Sequence, residues 1–260
     1  MRHTFLIFAA AACAALTGCF DNHGRPDDAT PVTSLSALAA TNRAEVVRLY
    51  LRGTAEKLAD GDLANLPALR ELDLSERKLE AVPKDVFALT SLERFWFARN
   101  KLAAVPAELA QLPALAYLNL DGNKLTAVPD ALGGLKSLRY LRLNENQLTA
   151  LPDALGGLKT LRRLYAKRNK LTAVPAFLKD CPEIEDVLLD GNPIEEVPDW
   201  LTKMSALKSV SFTGCKIAKL PEDLSGWRHL DSLSLAGCPI PEAEMKRIRA
   251  ALGDDVAVTF

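Results

Sequence analysis

Histidine, the side chain most often used for acid–base catalysis, is nearly absent from this sequence. The three histidines, His3, His23 and His229, are far apart and fall short of a zinc site or a Ser-His-Asp arrangement. No glycine-rich phosphate loop follows a strand. Gly133-Gly134 and Gly156-Gly157 recur at one offset and read as copies inherited by duplication. The chemistry on offer is contact. Arg94, Tyr117, Tyr140 and Arg163 follow one another at intervals of 23, and Trp96, Arg142 and Tyr165 each stand two residues behind a member of that series. Arg99 and Arg168 lie close by. Tyrosine, tryptophan and arginine combine large contact area with a polar tip, the combination enriched at binding hot spots.

That spacing is the spacing of the whole chain. Units of 23 residues begin at Leu69, Leu92, Leu115, Leu138, Leu161, Ile184 and Leu207, with a weaker unit at Val46 and a truncated one at Leu230. Each reads L-x-x-L-x-L-x-x-N-x-L-x-x-L/V-P-x-x-L-x-x-L-x-x. The fourth and sixth positions, such as Leu118 and Leu120, share one face of a short strand, so Tyr117 and Asn119 point the other way, to solvent. Asn100, Asn123, Asn146, Asn169 and Asn192 hold the ninth position, where an amide can donate and accept at once. Pro83, Pro106, Pro129, Pro152, Pro175, Pro198 and Pro221 hold the fifteenth, which excludes a central strand there. Leu109 and Leu112, three apart, suit a short helical turn. One such unit cannot bury its own apolar edge, so neighbours must stack.

The pattern resembles the leucine-rich repeat family over residues 46–240. The resemblance implies an α/β solenoid, a horseshoe with a concave parallel β-sheet, short convex turns or helices, and helical end caps. Residues 34–45 are expected to cap the first coil. Residues 241–260 are expected to close the last with a helix carrying Met245, Ile248 and Leu252 on one face, stopped by Gly253, and a final strand. Cys181 takes a leucine position and is expected to be buried. Cys215 and Cys238 take the asparagine position of adjacent coils. A disulfide is within their reach, but parallel neighbours point the same way, and cysteine is a ladder substitute in this family.

The start of the chain has a different character. Phe5 to Leu16 is an apolar run of twelve residues, short for a membrane span, and it ends in Leu16-Thr17-Gly18-Cys19. This resembles a lipobox. It implies a lipoprotein signal peptide over residues 1–18, a lipidated Cys19, and attachment to a bacterial cell envelope by acyl chains. Phe20, rather than aspartate, follows the cysteine, which in Gram-negative practice implies the outer membrane. Residues 19–33, polar and broken by Pro26, Pro31 and Gly24, read as a flexible tether.

The formal net charge is −1; loss of residues 1–18 removes Arg2 alone and makes it −2. No global field steers the chain toward nucleic acid, and export would remove that partner. The third and fifth positions of each unit collect all four tyrosines, Tyr50, Tyr117, Tyr140 and Tyr165, together with Trp96. Lys167 and the five arginines named above surround them, and the acids of that stretch are fewer: Glu93, Asp121 and Glu145. The expected function is therefore a membrane-anchored, monomeric binding module without enzyme activity or cofactor, taking a protein or peptide on its concave face. The expected site is Arg94, Trp96, Arg99, Tyr117, Tyr140, Arg142, Arg163, Tyr165 and Arg168. The alternative ligand for the same face is a carbohydrate or a phosphate-bearing glycolipid, since aromatics stack on sugars and arginines pair with phosphate.

Overall fold

A computed structural model describes residues 29–260, of which residues 31–260 form one compact unit. Every unit of the repeat contributes one three-residue strand: β1 Arg48–Tyr50, β2 Glu71–Asp73, β3 Arg94–Trp96, β4 Tyr117–Asn119, β5 Tyr140–Arg142, β6 Arg163–Tyr165, β7 Asp186–Leu188, β8 Ser209–Ser211 and β9 Ser232–Ser234. With β10 Ala257–Thr259 they form one ten-stranded parallel sheet in chain order. The register is one repeat per strand, so Tyr117 pairs with Tyr140 and Arg142 with Tyr165. The chain is thus a leucine-rich repeat solenoid.

The inward columns explain why the strands form where they do. Leu118, Leu141 and Leu164 are fully buried, as are Leu120, Leu143 and Ala166 two residues later. Phe95 and Phe97 enter the same columns in β3 without exposure. Opposite the sheet the coils close through short 3-10 turns, Lys84–Ala88, Ala107–Gln111, Asp130–Gly134, Asp153–Gly157 and Ala176–Asp180, each preceded by a repeat proline. Leu109 and Leu112 fill the core beneath one of them. The repeated glycines have a steric reason here beyond inheritance. A Cβ on Gly133 would lie 2.1 Å from the carbonyl oxygen of Ala154, and one on Gly157 would lie 2.4 Å from that of Gly133.

Between sheet and turns runs a ladder of buried amides. Asn146 donates from Nδ2 to the carbonyls of Leu120 (3.0 Å) and Leu143 (3.1 Å), and its Oδ1 accepts the N–H of Leu125 at 3.1 Å. Asn123, Asn169 and Asn192 repeat this one coil away each time. Each amide therefore stitches its own coil to the preceding one. Arg77 substitutes in the second coil by donating from Nη1 to the Leu51 carbonyl at 2.9 Å. Cys215 and Cys238 continue the ladder as free thiols, donating to the carbonyls of Leu189 (3.4 Å) and Phe212 (3.1 Å). Burial pushes the Cys215 thiol up to about 11, and the buried Cys181 likewise to about 11.

Both ends of the solenoid are covered. Helix α1, Leu35–Ala39, begins at Ser34, whose Oγ accepts the N–H of Ala37, and it inserts Leu38 into the core. The tether boundary needs correction. Val32 lies against the free edge of β1, donating to the carbonyl of Arg48 (3.0 Å) and accepting from the N–H of Tyr50 (2.8 Å). An exposed edge offers unpaired backbone groups, and the chain itself satisfies them from residue 31 onward. At the other end helix α2, Glu242–Leu252, buries Ile248 and Leu252, half-buries Met245, and stops at Gly253 with φ +79°. Glu244 and Arg247 lock it to the last full coil, accepting the N–H of Leu220 and donating to the Leu220 and Pro221 carbonyls.

The ladder yields a graded expectation. Asn146→Leu leaves the Leu125 N–H without a partner and removes one of the two amide donors from each of the Leu120 and Leu143 carbonyls, and it is expected to lower stability by about 2 kcal/mol. Asn146→Cys keeps one donor, as Cys215 does, and is expected to cost about 1 kcal/mol less. Urea unfolding of the two variants measures the order, and equal midpoints would contradict it.

Candidate binding face

The third and fifth repeat positions lie on the concave side, where parallel strands about 4.8 Å apart bring residues 23 apart into side-chain contact. Four aromatic rings form a continuous file. Tyr50 meets Trp96 edge to face at 6.3 Å, across the short Asp73 of the intervening strand; Trp96 meets Tyr117 at 5.1 Å and Tyr117 meets Tyr140 at 6.1 Å. The file then passes to cations, with the Arg163 guanidinium 5.1 Å from the Tyr140 ring centroid and that of Arg142 5.5 Å from Tyr165.

The structure brings seven of the nine expected site residues into this cluster or directly beside its rings. Trp96, Tyr140, Arg142, Arg163 and Tyr165 are half-buried in it, and Arg94 stands beside it, bonded to Glu71 at 2.8 Å. Tyr117 is a correction. It was expected to be displayed to solvent, but its exposure is only 7%. It faces the concave side, yet the rings of Trp96 and Tyr140 cover it from both flanks, so it supports the file. Arg99 and Arg168 lie apart from the rings, exposed where the strands turn away from the sheet, at φ +54° and +52°. Cys19 lies outside the described residues.

The charge balance also needs correction. The acids that oppose the arginines come from neighbouring columns and flanking coils. Glu71 holds Arg94, Asp121 holds Arg142 at 2.7 Å, Asp186 holds Arg163 at 2.9 Å, and Asp190 holds Lys167 at 2.7 Å. At the border, Glu76 pairs with Arg99 at 3.4 Å and Glu145 with Arg168 at 3.2 Å. The face is a mosaic of neutralised pairs around aromatic rings. Glu71, Asp73 and Asp186 are readable from the same repeat positions that show the tyrosines, as is Leu188, a half-exposed apolar residue beside Tyr165, whereas Asp190 and Glu76 stand at the seventh and eighth positions. A groove of about 770 Å³ runs along the sheet beside the aromatic file, meeting it at Trp96 and lined further by Asn119, Arg142 and the charged residues of the border.

Burial governs the electrostatics. It raises the tyrosine pKa values of Tyr50, Tyr117 and Tyr165. A hydrogen bond to Glu71 adds to the effect for Tyr50, and the charge of Asp186 adds to it for Tyr165. Burial likewise raises Asp186 above the ordinary carboxylate value, against the pull of Arg163.

Repeat, sheet and ladder are those of leucine-rich repeat proteins, and the chain belongs to that family. The leucine-rich repeat region family matches residues 34–170. The repeat segment of the leucine-rich repeat and WD repeat-containing protein 1 family matches residues 126–223. No curated protein sequence matches the chain. Among solved structures, a leucine-rich repeat protein of Leptospira interrogans superposes with a TM-score of 0.63 at 24% identity, covering 84% of this chain and 67% of its own. An internalin of Listeria monocytogenes superposes with a TM-score of 0.72 at 21% identity, over 87% of this chain and 64% of its own. The leucine-rich repeat ectodomain of the Arabidopsis receptor kinase HAESA, solved with a peptide hormone ligand, gives 0.64 at 26% identity over 79% of this chain and 36% of its own. This chain thus spans about two thirds of the two bacterial structures and about a third of the plant one.

The tyrosine shifts carry a sign. A group whose pKa is raised by folding stabilises the fold below its unfolded value, about 10 for tyrosine, and that contribution is lost as the pH rises further. Phenolate absorbance of the folded protein is therefore expected to lag behind that of the urea-unfolded chain, with stability falling above about pH 10. Coincident titration curves would place these rings in open solvent.

Proposed function

We propose that this protein is an envelope-anchored binding module that captures a protein or peptide partner on its concave sheet and performs no catalysis. The observation that carries the reading is the file of Tyr50, Trp96, Tyr117 and Tyr140, extended by Arg163 and bordered at Trp96 by an open groove. Rings packed on one another and on arginines fixed by ion pairs lose little conformational freedom on binding. Preorganisation of that kind favours affinity. Leucine-rich repeat domains commonly serve as protein-binding modules, and the plant receptor ectodomain that shares this fold was solved with a peptide ligand.

The glycolipid alternative is disfavoured beside the aromatic rings, where Arg142 and Arg163 are held by half-buried carboxylates. A phosphate would have to displace Asp121 from Arg142 and Asp186 from Arg163, giving up contacts already made. Anchoring rests on the Leu-Thr-Gly-Cys sequence at residues 16–19. In a Gram-negative cell the residue after the cysteine, Phe20, directs the protein to the outer membrane.

Replacing Trp96, Tyr140 and Tyr165 together by alanine is expected to abolish partner capture in crosslinking from envelope extracts while leaving circular dichroism unchanged. Undiminished capture would remove the concave face as the site. Metabolic labelling with a fatty acid is expected to mark the wild type and not Cys19→Ser, and the variant is expected to leave the membrane fraction. Equal labelling of both would refute the anchor.

A further inference from the structure

The eighth repeat position, where each strand turns inward toward the ladder, is left-handed in every coil. It reads Gly53, Glu76, Arg99, Gly122, Glu145, Arg168, Gly191, Gly214 and Gly237, with φ between +54° and +73° in all but Arg168, at +52°. Glycine takes this conformation without strain, whereas other residues are disfavoured in it. Four charged residues nevertheless occupy it, as two copies of the order glutamate, arginine, glycine. The copies stand three coils apart. Duplication of single coils does not account for them: the neighbouring coils at 115 and 138 share the run Asp-Ala-Leu-Gly-Gly-Leu-Lys but carry Gly122 and Glu145 in this column.

The ion pairs made within the copies do not account for them either. Arg99 and Arg168 remain 70% and 76% exposed while bonded to Glu76 and Glu145 at 3.4 and 3.2 Å, and Glu76 is held more closely by Arg52 at 2.7 Å. Exposed pairs of this sort add little to stability. The glycine that completes each copy accommodates the arginine stem: a Cβ at Gly122 would lie 3.1 Å from Arg99 Cγ, and one at Gly191 would lie 3.3 Å from Arg168 Cγ. Each guanidinium has five N–H donors, and the contact with its glutamate leaves an outward edge of the fork for a second carboxylate. Both lie on the border of the groove that passes Trp96 and Arg142.

We propose that Arg99 and Arg168 are paired grips for an extended acidic peptide lying along the groove, across the strands, with acidic residues four apart. Three coils at about 4.8 Å set the grips about 14 Å from each other, and four extended residues at about 3.4 Å span the same length. An even interval also puts both acidic side chains on one face of the extended chain. This rests on the concave-face reading and names the chemistry of its partner.

The test uses the full chain in detergent and labelled synthetic peptides of identical composition, with two glutamates at i and i+4 or at i and i+3, plus a double glutamine version of the first. The i, i+4 peptide is expected to bind at least about tenfold more tightly than the others, with an advantage that shrinks as salt rises. Arg99→Gly and Arg168→Gly together relieve backbone strain, so they are expected to keep or raise the melting temperature while erasing that advantage. Equal affinity for the three peptides, absence of binding by all, or an advantage that survives the double glycine variant would overturn the proposal. Loss of all binding in the Trp96, Tyr140 and Tyr165 alanine variant, with the glutamate interval irrelevant, would leave the concave face standing and remove the grips alone. Interval-dependent binding that ignores the aromatic substitutions would do the reverse.

Discussion

The structure depends on how a coil of this size satisfies its inner backbone. Each turn from strand to convex side leaves carbonyl groups inside the solenoid, away from water, where a lost hydrogen bond costs about 1–3 kcal/mol. The ninth side chain reaches back to the preceding coil and meets that demand, with an amide in Asn100 to Asn192, a guanidinium in Arg77 and a thiol in Cys215 and Cys238. One coil cannot do this alone. The same bonds that satisfy a coil attach it to its neighbour, and so impose the one-repeat register seen along the sheet.

That register makes the concave face a set of columns. Residues 23 apart in sequence become touching neighbours, and a ring every repeat becomes a stacked file. Acids and bases in adjacent coils meet in the same way, which is why a patch rich in arginine carries so little net charge. The outcome is a surface stiffened by its own contacts and close to neutral, suited to a partner recognised by shape and local polarity. The border column is the exception to local economy, because it holds charged residues where the backbone prefers glycine.

Much of this was legible in the residues. The interval of 23 assigned the strands β1 to β9, the prolines assigned the convex side, and the asparagines announced the ladder. The nine expected site residues all lie on or beside the concave face. What escaped were relations between coils. Tyr117 is covered because its two neighbours in the file both have large rings, and Arg142 is neutral in effect because Asp121 lies one coil back and two positions along. Leu188 and Asp190 belong to the coil beyond Tyr165, which carries no aromatic residue on its strand. Val32, in a stretch with no period of its own, pairs with β1 because that edge was open.

The sequence by itself determined the period, the direction in which each side chain points, and the group available at each rung of the ladder, because these follow from local geometry repeated without a gap. Only the tertiary structure decided which side chains are covered and which charges cancel. Those properties belong to pairs of coils. They depend on how far each side chain leans across a gap of about 4.8 Å, a distance that no single repeat contains.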